Sequence, residues 1–201
     1  MTISEPSSNR PFLIISIVGL ILFVGFSRYI PFEHSNLFNF SPVLAIFLFC
    51  GAYLRGVWSW AVPITAIFLS DMILNPNYGL NFVEPFMFIT LGSYLVIWIL
   101  GKKLGNQKNF AMWTCGSVLS ALFFYISTSG FAWIANPVYP KSVDGLIQAL
   151  TIGEPGFAPA YLFLRNSILS TVIFSILFRY TYLWLAHQST RENKKGFVVQ
   201  V

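Results

Sequence analysis

Six apolar runs, separated by short polar segments, divide almost the whole chain. A run of that kind buries its backbone polar groups in its own hydrogen bonds only as a helix, which restricts the chain to a bundle of helices crossing a bilayer. The runs predict helices over about 11–27, 42–55, 57–74, 82–101, 110–126 and 159–185. The expected class is all-α: a polytopic transmembrane bundle of about six helices in one domain over 11–186, with a long outer loop between helices 5 and 6. Composition agrees. Only 9% of residues are charged and 56% are hydrophobic, whereas a water-facing surface needs roughly 25% charged residues.

The first run follows Arg10, yet Ser27, Arg28, Tyr29 and Ile30 at its exit do not suit signal-peptide cleavage, so a retained helix is expected. Residues 1–10 read as a disordered tail and 187–201 as a basic tail. Ser41–Pro42 is a helix start, a Ser cap followed by Pro at the first position. The second run is short for a hydrocarbon core of about 30 Å. It reads as a short spanning helix with Arg55 at the surface, a re-entrant hairpin being the alternative. Asn75–Pro76–Asn77–Tyr78–Gly79 reads as a turn. Asn81 and Glu84 have capping-box spacing before the fourth run. The mixed segment 127–158 holds a short helix over 143–150 started by Ser142.

Basic residues orient the bundle. Arg10, Arg55, Lys102, Lys103, Lys108, Arg191, Lys194 and Lys195 fall on one side, and only Arg28 and Lys141 on the other. Basic residues are retained in the cytoplasm, so both termini are expected inside and the segments 28–40, 75–82 and 127–158 outside. Such scattered charge forms no stripe for nucleic acid, despite a net +5.

Ionisable residues inside apolar helices need a reason. Asp71 and Arg165 fall at similar shallow outer depth. Either they bind a ligand in a polar pocket or they pair and lock two helices, and depth alone does not separate these. Glu84 reads first as a cap and second as a ligand group. Arg179, near the other end of its helix, reads as a snorkelling residue. Trp133 and Tyr139 in the outer segment offer rings for stacking, against the general preference of Trp and Tyr for membrane interfaces. Ser167, Thr171 and Ser175 repeat every four residues, a small stripe suited to helix packing. Cys50 and Cys115 sit in apolar runs as small apolar residues.

Catalysis lacks its parts. His34 lies in a loop and His187 in the tail, no metal-ligand spacing occurs, and no Gly-rich loop precedes a Lys. No catalytic residue, metal or cofactor is expected.

The stretch Asn39–Phe40–Ser41–Pro42–Val43–Leu44–Ala45, then Gly51–Ala52–Tyr53 and Ser70–Asp71, resembles an uncharacterised family of bacterial integral membrane proteins to which a transport role is ascribed. So does Trp133 with Tyr139–Pro140–Lys141–Ser142 and Gly145–Leu146. That family is similar in turn to the substrate-binding (S) components of energy-coupling factor (ECF) vitamin transporters. The resemblance implies an inner-membrane protein that takes a small solute from outside through a pocket near Asn39, Asp71, Arg165 and the 127–158 segment. It implies a separate energising membrane subunit with ATPases. The Ala-x-x-x-Ala docking motif common in helix 1 of S components is replaced by Gly19 and Gly25 at another spacing. Two other classes stay open: a non-transporting protein that assembles a membrane complex, and, more weakly, an enzyme acting on lipid head groups.

Overall fold

The computed structural model describes residues 10–29, 31, 34–77, 85–105, 107 and 109–198. Among them there are seven α-helices and no strand: α1 (Arg10–Ser27), α2 (Val43–Tyr53), α3 (Trp58–Asn77), α4 (Pro85–Leu104), α5 (Phe110–Ala135), α6 (Val143–Leu150) and α7 (Ala160–Val198). The seventh is the short helix over 143–150, with the Ser142 hydroxyl accepting from Gly145 N–H at 3.3 Å. Three helices are long and apolar enough to cross a membrane: α4, α5 and the Ala160–Gln188 part of α7.

Several boundaries depart from expectation. The 75–77 turn is instead the last turn of α3, which runs through Pro76 to Asn77. Pro76 removes one ladder hydrogen bond there, and the helix ends one residue later, at Asn77. α5 runs nine residues past 126, to Ala135, where Asn136 N–H closes the cap on Ala132 O at 2.8 Å. The irregular outer segment therefore begins at 136, not 127. α7 continues into what read as a basic tail. The Asn81–Glu84 capping box lies outside the described residues.

Burial runs opposite to a water-soluble bundle. On α7 the buried positions include Ser167, Ser170, Thr171 and Ser175, beside Asn166, Phe178 and Arg179, while Leu169, Ile173 and Leu177 are exposed. On α5, Ser117 and Ser120 are buried and Leu119 and Ile126 exposed. The two small faces meet, with Ser117 Oγ and Ser175 Oγ 2.7 Å apart. Small hydroxyl residues inside let backbones approach closely, and apolar side chains outside suit a hydrocarbon surround. The stripe on α7 thus serves internal packing.

α2 lies at the centre. Every residue from Val43 to Gly51 is buried, and α4, α7 and α3 surround it. Its contact with α4 is backbone on backbone. A Cβ on Gly51 would lie 2.2 Å from Trp98 O, one on Gly101 2.2 Å from Leu48 O, and one on Gly105 2.4 Å from Ala52 O. The steps Leu48 to Ala52 and Gly101 to Gly105 advance together, so the two helices run in the same direction. Trp98 Nε1 donates to Ser59 O at 2.9 Å, bringing the start of α3 to the same place, and Lys102 Nζ sits 3.8 Å over the Trp98 ring.

Eleven residues span about 16 Å, half of a 30 Å core. The segment before α2 holds a 3-10 helix over Ser35–Leu37 and turns. Asn166 and Ser170, about 9 and 15 Å along α7 from its start, reach the segment before α2. Asn166 Nδ2 donates to Asn36 O and Phe38 O, each at 2.9 Å, and Ser170 Oγ to Asn39 O at 3.5 Å. At its other end α2 gives way to extended Leu54, then Arg55 and a turn at Gly56, where φ is +59°.

Substituting Gly101 tests the interlock. Gly101→Val should abolish a monodisperse detergent-solubilised species in size-exclusion chromatography, because the blocking atom is a backbone carbonyl. Gly92→Ala, on the same helix with nothing within 4 Å of the new Cβ, should leave thermal stability equal or higher, by at most about 1 kcal/mol.

Candidate functional site

Arg28 follows the last turn of α1, and Asp71 lies on α3 about 9 Å before its end. Their side chains meet, with Arg28 Nη1 2.6 Å from Asp71 Oδ1. The same nitrogen donates to Ser70 Oγ and, at 3.4 Å, to Ile67 O. The two side chains are 21% and 16% exposed, which places the pair at the edge of the core. A charge there is tolerated because it is paired and hydrogen-bonded.

Arg28 also lines a cavity of about 150 Å³. Asn39 and Ser41 from the entering segment, Val43 and Leu44 at the start of α2, Tyr94, Phe124 and Ser167 form much of the rest. Asn39 has φ +63°, the only non-glycine residue with positive φ among those described. Asn tolerates that region better than most residues, and the turn it makes, with Ser41 N–H to Asn39 O at 3.0 Å, delivers Ser41 and α2 to the cavity.

The residues singled out in the sequence divide. Asn39 lines the cavity, and Asp71 stands behind it as the partner of Arg28. Arg165 does not meet Asp71. It is exposed, and its Nε and Nη2 donate to Asn166 Oδ1 at 3.2 and 3.1 Å. That contact orients the amide holding the entering segment. Glu84 lies outside the described residues.

Trp133 and Tyr139 belong to a separate, internally bonded cap. Trp133 Nε1 donates to Pro140 O at 2.9 Å, and Lys141 Nζ donates to Trp133 O and, at 2.8 Å, to Asn136 O. Asn136 Nδ2 donates to Glu154 Oε2 at 2.8 Å, and Tyr125 hydroxyl to Leu150 O at 2.8 Å. A Cβ on Gly145 would lie 1.9 Å from Pro140 O, so α6 sits against this turn with no room for a side chain. Burial, then the nearby Glu154 charge, raises the Tyr139 phenol above its ordinary value and keeps it protonated. Neither ring lines the cavity.

Arg179 is a correction. It does not snorkel. It is 7% exposed, lies 5.1 Å over the Trp113 ring, and its Nη2 donates to Gln107 O at 3.2 Å. It thereby fastens α7 to the connection between α4 and α5. Among the described residues no group of three or more metal-ligating side chains is gathered.

Sequence reasoning missed Arg28, Asn166 and the three packing glycines. Arg28 entered only as a stray outer charge, although it ends an apolar run at the depth of Asp71. Gly101 and Gly105 carry the four-residue spacing that marks close helix contact.

Removing one partner of the ion pair leaves a partly buried charge, so Arg28→Gln and Asp71→Asn should each cost about 2–4 kcal/mol. The double variant should cost clearly less than their sum. Thermal unfolding in detergent of all four proteins closes that cycle. Asn166→Leu orphans two carbonyls and should lower stability by about 2–4 kcal/mol in the same assay.

No curated protein and no solved structure matches this chain. The model of a family described as "Family of unknown function (DUF6580)" matches residues 8–193. The match covers nearly the whole chain, cavity and cap included, and the protein belongs to that family.

Proposed function

We propose that this protein is a multi-pass protein of the bacterial cytoplasmic membrane that binds a small solute from the outer face for uptake. In this reading it resembles the S components of ECF transporters, and a separate membrane subunit with ATPases supplies the energy. It acts as a binder, not as an enzyme. Both termini lie in the cytoplasm, and the Arg28, Asn39 and cap end of the bundle faces outward.

The observation that carries this reading is the cavity itself. A lone ion pair would suffice to lock α1 to α3. Here the guanidinium also faces a space lined by Asn39, Ser41, Tyr94 and Ser167, at the end of the bundle that the basic residues assign to the outside. Convergent polar groups in a concave, mostly apolar site are the usual form of a ligand pocket. Its volume of about 150 Å³ falls below the roughly 300–1,000 Å³ of sites for drug-sized molecules. That favours a solute smaller than most vitamins.

The rival reading, a protein that assembles a membrane complex, predicts no ligand. Native mass spectrometry of protein purified into lipid nanodiscs separates the two. A co-purifying small molecule is expected, and it should be absent from Ser41→Trp, which fills the cavity from the loop side. Repeated absence of any ligand from the wild type, together with stoichiometric capture of one partner protein, sinks the transport reading. Reporter fusions check the topology: one at the C-terminus should be active only as a cytoplasmic reporter, and one inserted at Pro137 only as an external reporter.

A further inference from the structure

We propose that the cavity takes a small monocarboxylate with an apolar body, held by Arg28; this rests on the reading of the cavity as a solute site. Among the described residues that line it, Arg28 is the one charged group, and no carboxylate faces the space. A cationic solute would find no counter-charge there.

The side-chain hydrogen bonds and ion pair of Arg28 with described residues leave from Nη1, toward Asp71, Ser70 and Ile67 O. A guanidinium carries five donors in a planar fork, so three N–H groups remain on Nε and Nη2. Asp71 holds the guanidinium through Nη1, and donors on Nε and Nη2 suit the two oxygens of a carboxylate.

A second set of donors converges on the same space. Val43 and Leu44 line the cavity. The first ladder bond of α2 is Ile46 N–H to Pro42 O at 2.8 Å, and Pro42 supplies no side-chain cap. The N–H groups of Val43 and Leu44 thus fall outside the ladder, at the positive end of the helix dipole. The hydroxyls of Ser41 and Ser167 and the amide of Asn39 add adaptable donors. Because Asp71 already neutralises Arg28, one further negative charge is matched by these partial charges. A dianion would leave its second charge uncompensated in an apolar surround. Phe38, Leu44, Leu74, Tyr94 and Phe124 account for the apolar body. The volume limits the solute to roughly ten heavy atoms or fewer.

Titration calorimetry at pH 7 on the full chain, in nanodiscs of zwitterionic lipid, tests this with three matched pairs: propionate and propionamide, lactate and lactamide, benzoate and benzamide. Benzylammonium serves as the cation. At least one carboxylate should bind tenfold or more tightly than its amide. Arg28→Gln should erase that preference, and Arg28→Lys should keep it with about tenfold weaker binding. Asn39→Gly, which retains the backbone turn, should weaken binding severalfold. An amide or benzylammonium binding as tightly as the carboxylates overturns the anion assignment and leaves the cavity standing as a solute site. A preference that survives in Arg28→Gln overturns the role of Arg28. No binding by any probe of either charge or of none overturns the proposal and the solute-site reading together. If Arg28→Gln does not fold, the carboxylate-to-amide ratio of the wild type still decides.

Discussion

The two amide hydrogens of Asn166 hold Asn36 O and Phe38 O, each at 2.9 Å. In hydrocarbon, a backbone carbonyl without a donor costs several kcal/mol, and non-helical chain persists at depth only where protein satisfies it. That single side chain therefore permits the segment before α2 to enter the bundle as turn and 3-10 helix. The α-helix accordingly starts only at Val43. The cavity occupies the space between the entering turn and the walls that a full-length helix would have filled. Arg165 lies one residue away and bonds the oxygen of the same amide, which orients the two donors. The polar face of α7 thus supports irregular backbone at one end and packs α5 at the other.

Periodicity and composition made the helices legible, because long apolar runs permit little else. The class, the short 143–150 helix and the inward small stripe on α7 were all readable from residue types and spacing. Boundaries were less so. Polar residues near 127–135 looked like loop, yet Thr128 accommodates a helix by bonding its own backbone, Oγ1 to Phe124 O at 2.8 Å. Asp71 was recognised as a residue needing a partner. Its partner was misjudged because two cations, Arg28 and Arg165, end up at the same depth, and linear sequence does not say which helices are neighbours. The glycines of the α2–α4 contact were missed because a residue defined by an absent side chain offers no chemistry to notice.

The ionisable groups of this bundle divide their labour by position. The Arg28–Asp71 pair joins α1 to α3 and presents one face to a cavity. Arg179 is 7% exposed. It is accommodated by a ring face and a carbonyl, and it ties a helix to a loop at the opposite end. The first borders a cavity, and the second stacks its cation on a ring inside the protein.

The glycine contacts between α2 and α4 have a mechanical side. Helices that touch through side chains can slide past each other by exchanging rotamers, which is how shear motions are accommodated. Helices that touch backbone to backbone have no rotamers to exchange. Leu48 O against Gly101 and Trp98 O against Gly51 behave like teeth in a rack, so α2 and α4 translate as one piece or not at all. Any widening of the cavity mouth must then come from movement of neighbouring elements about that fixed pair.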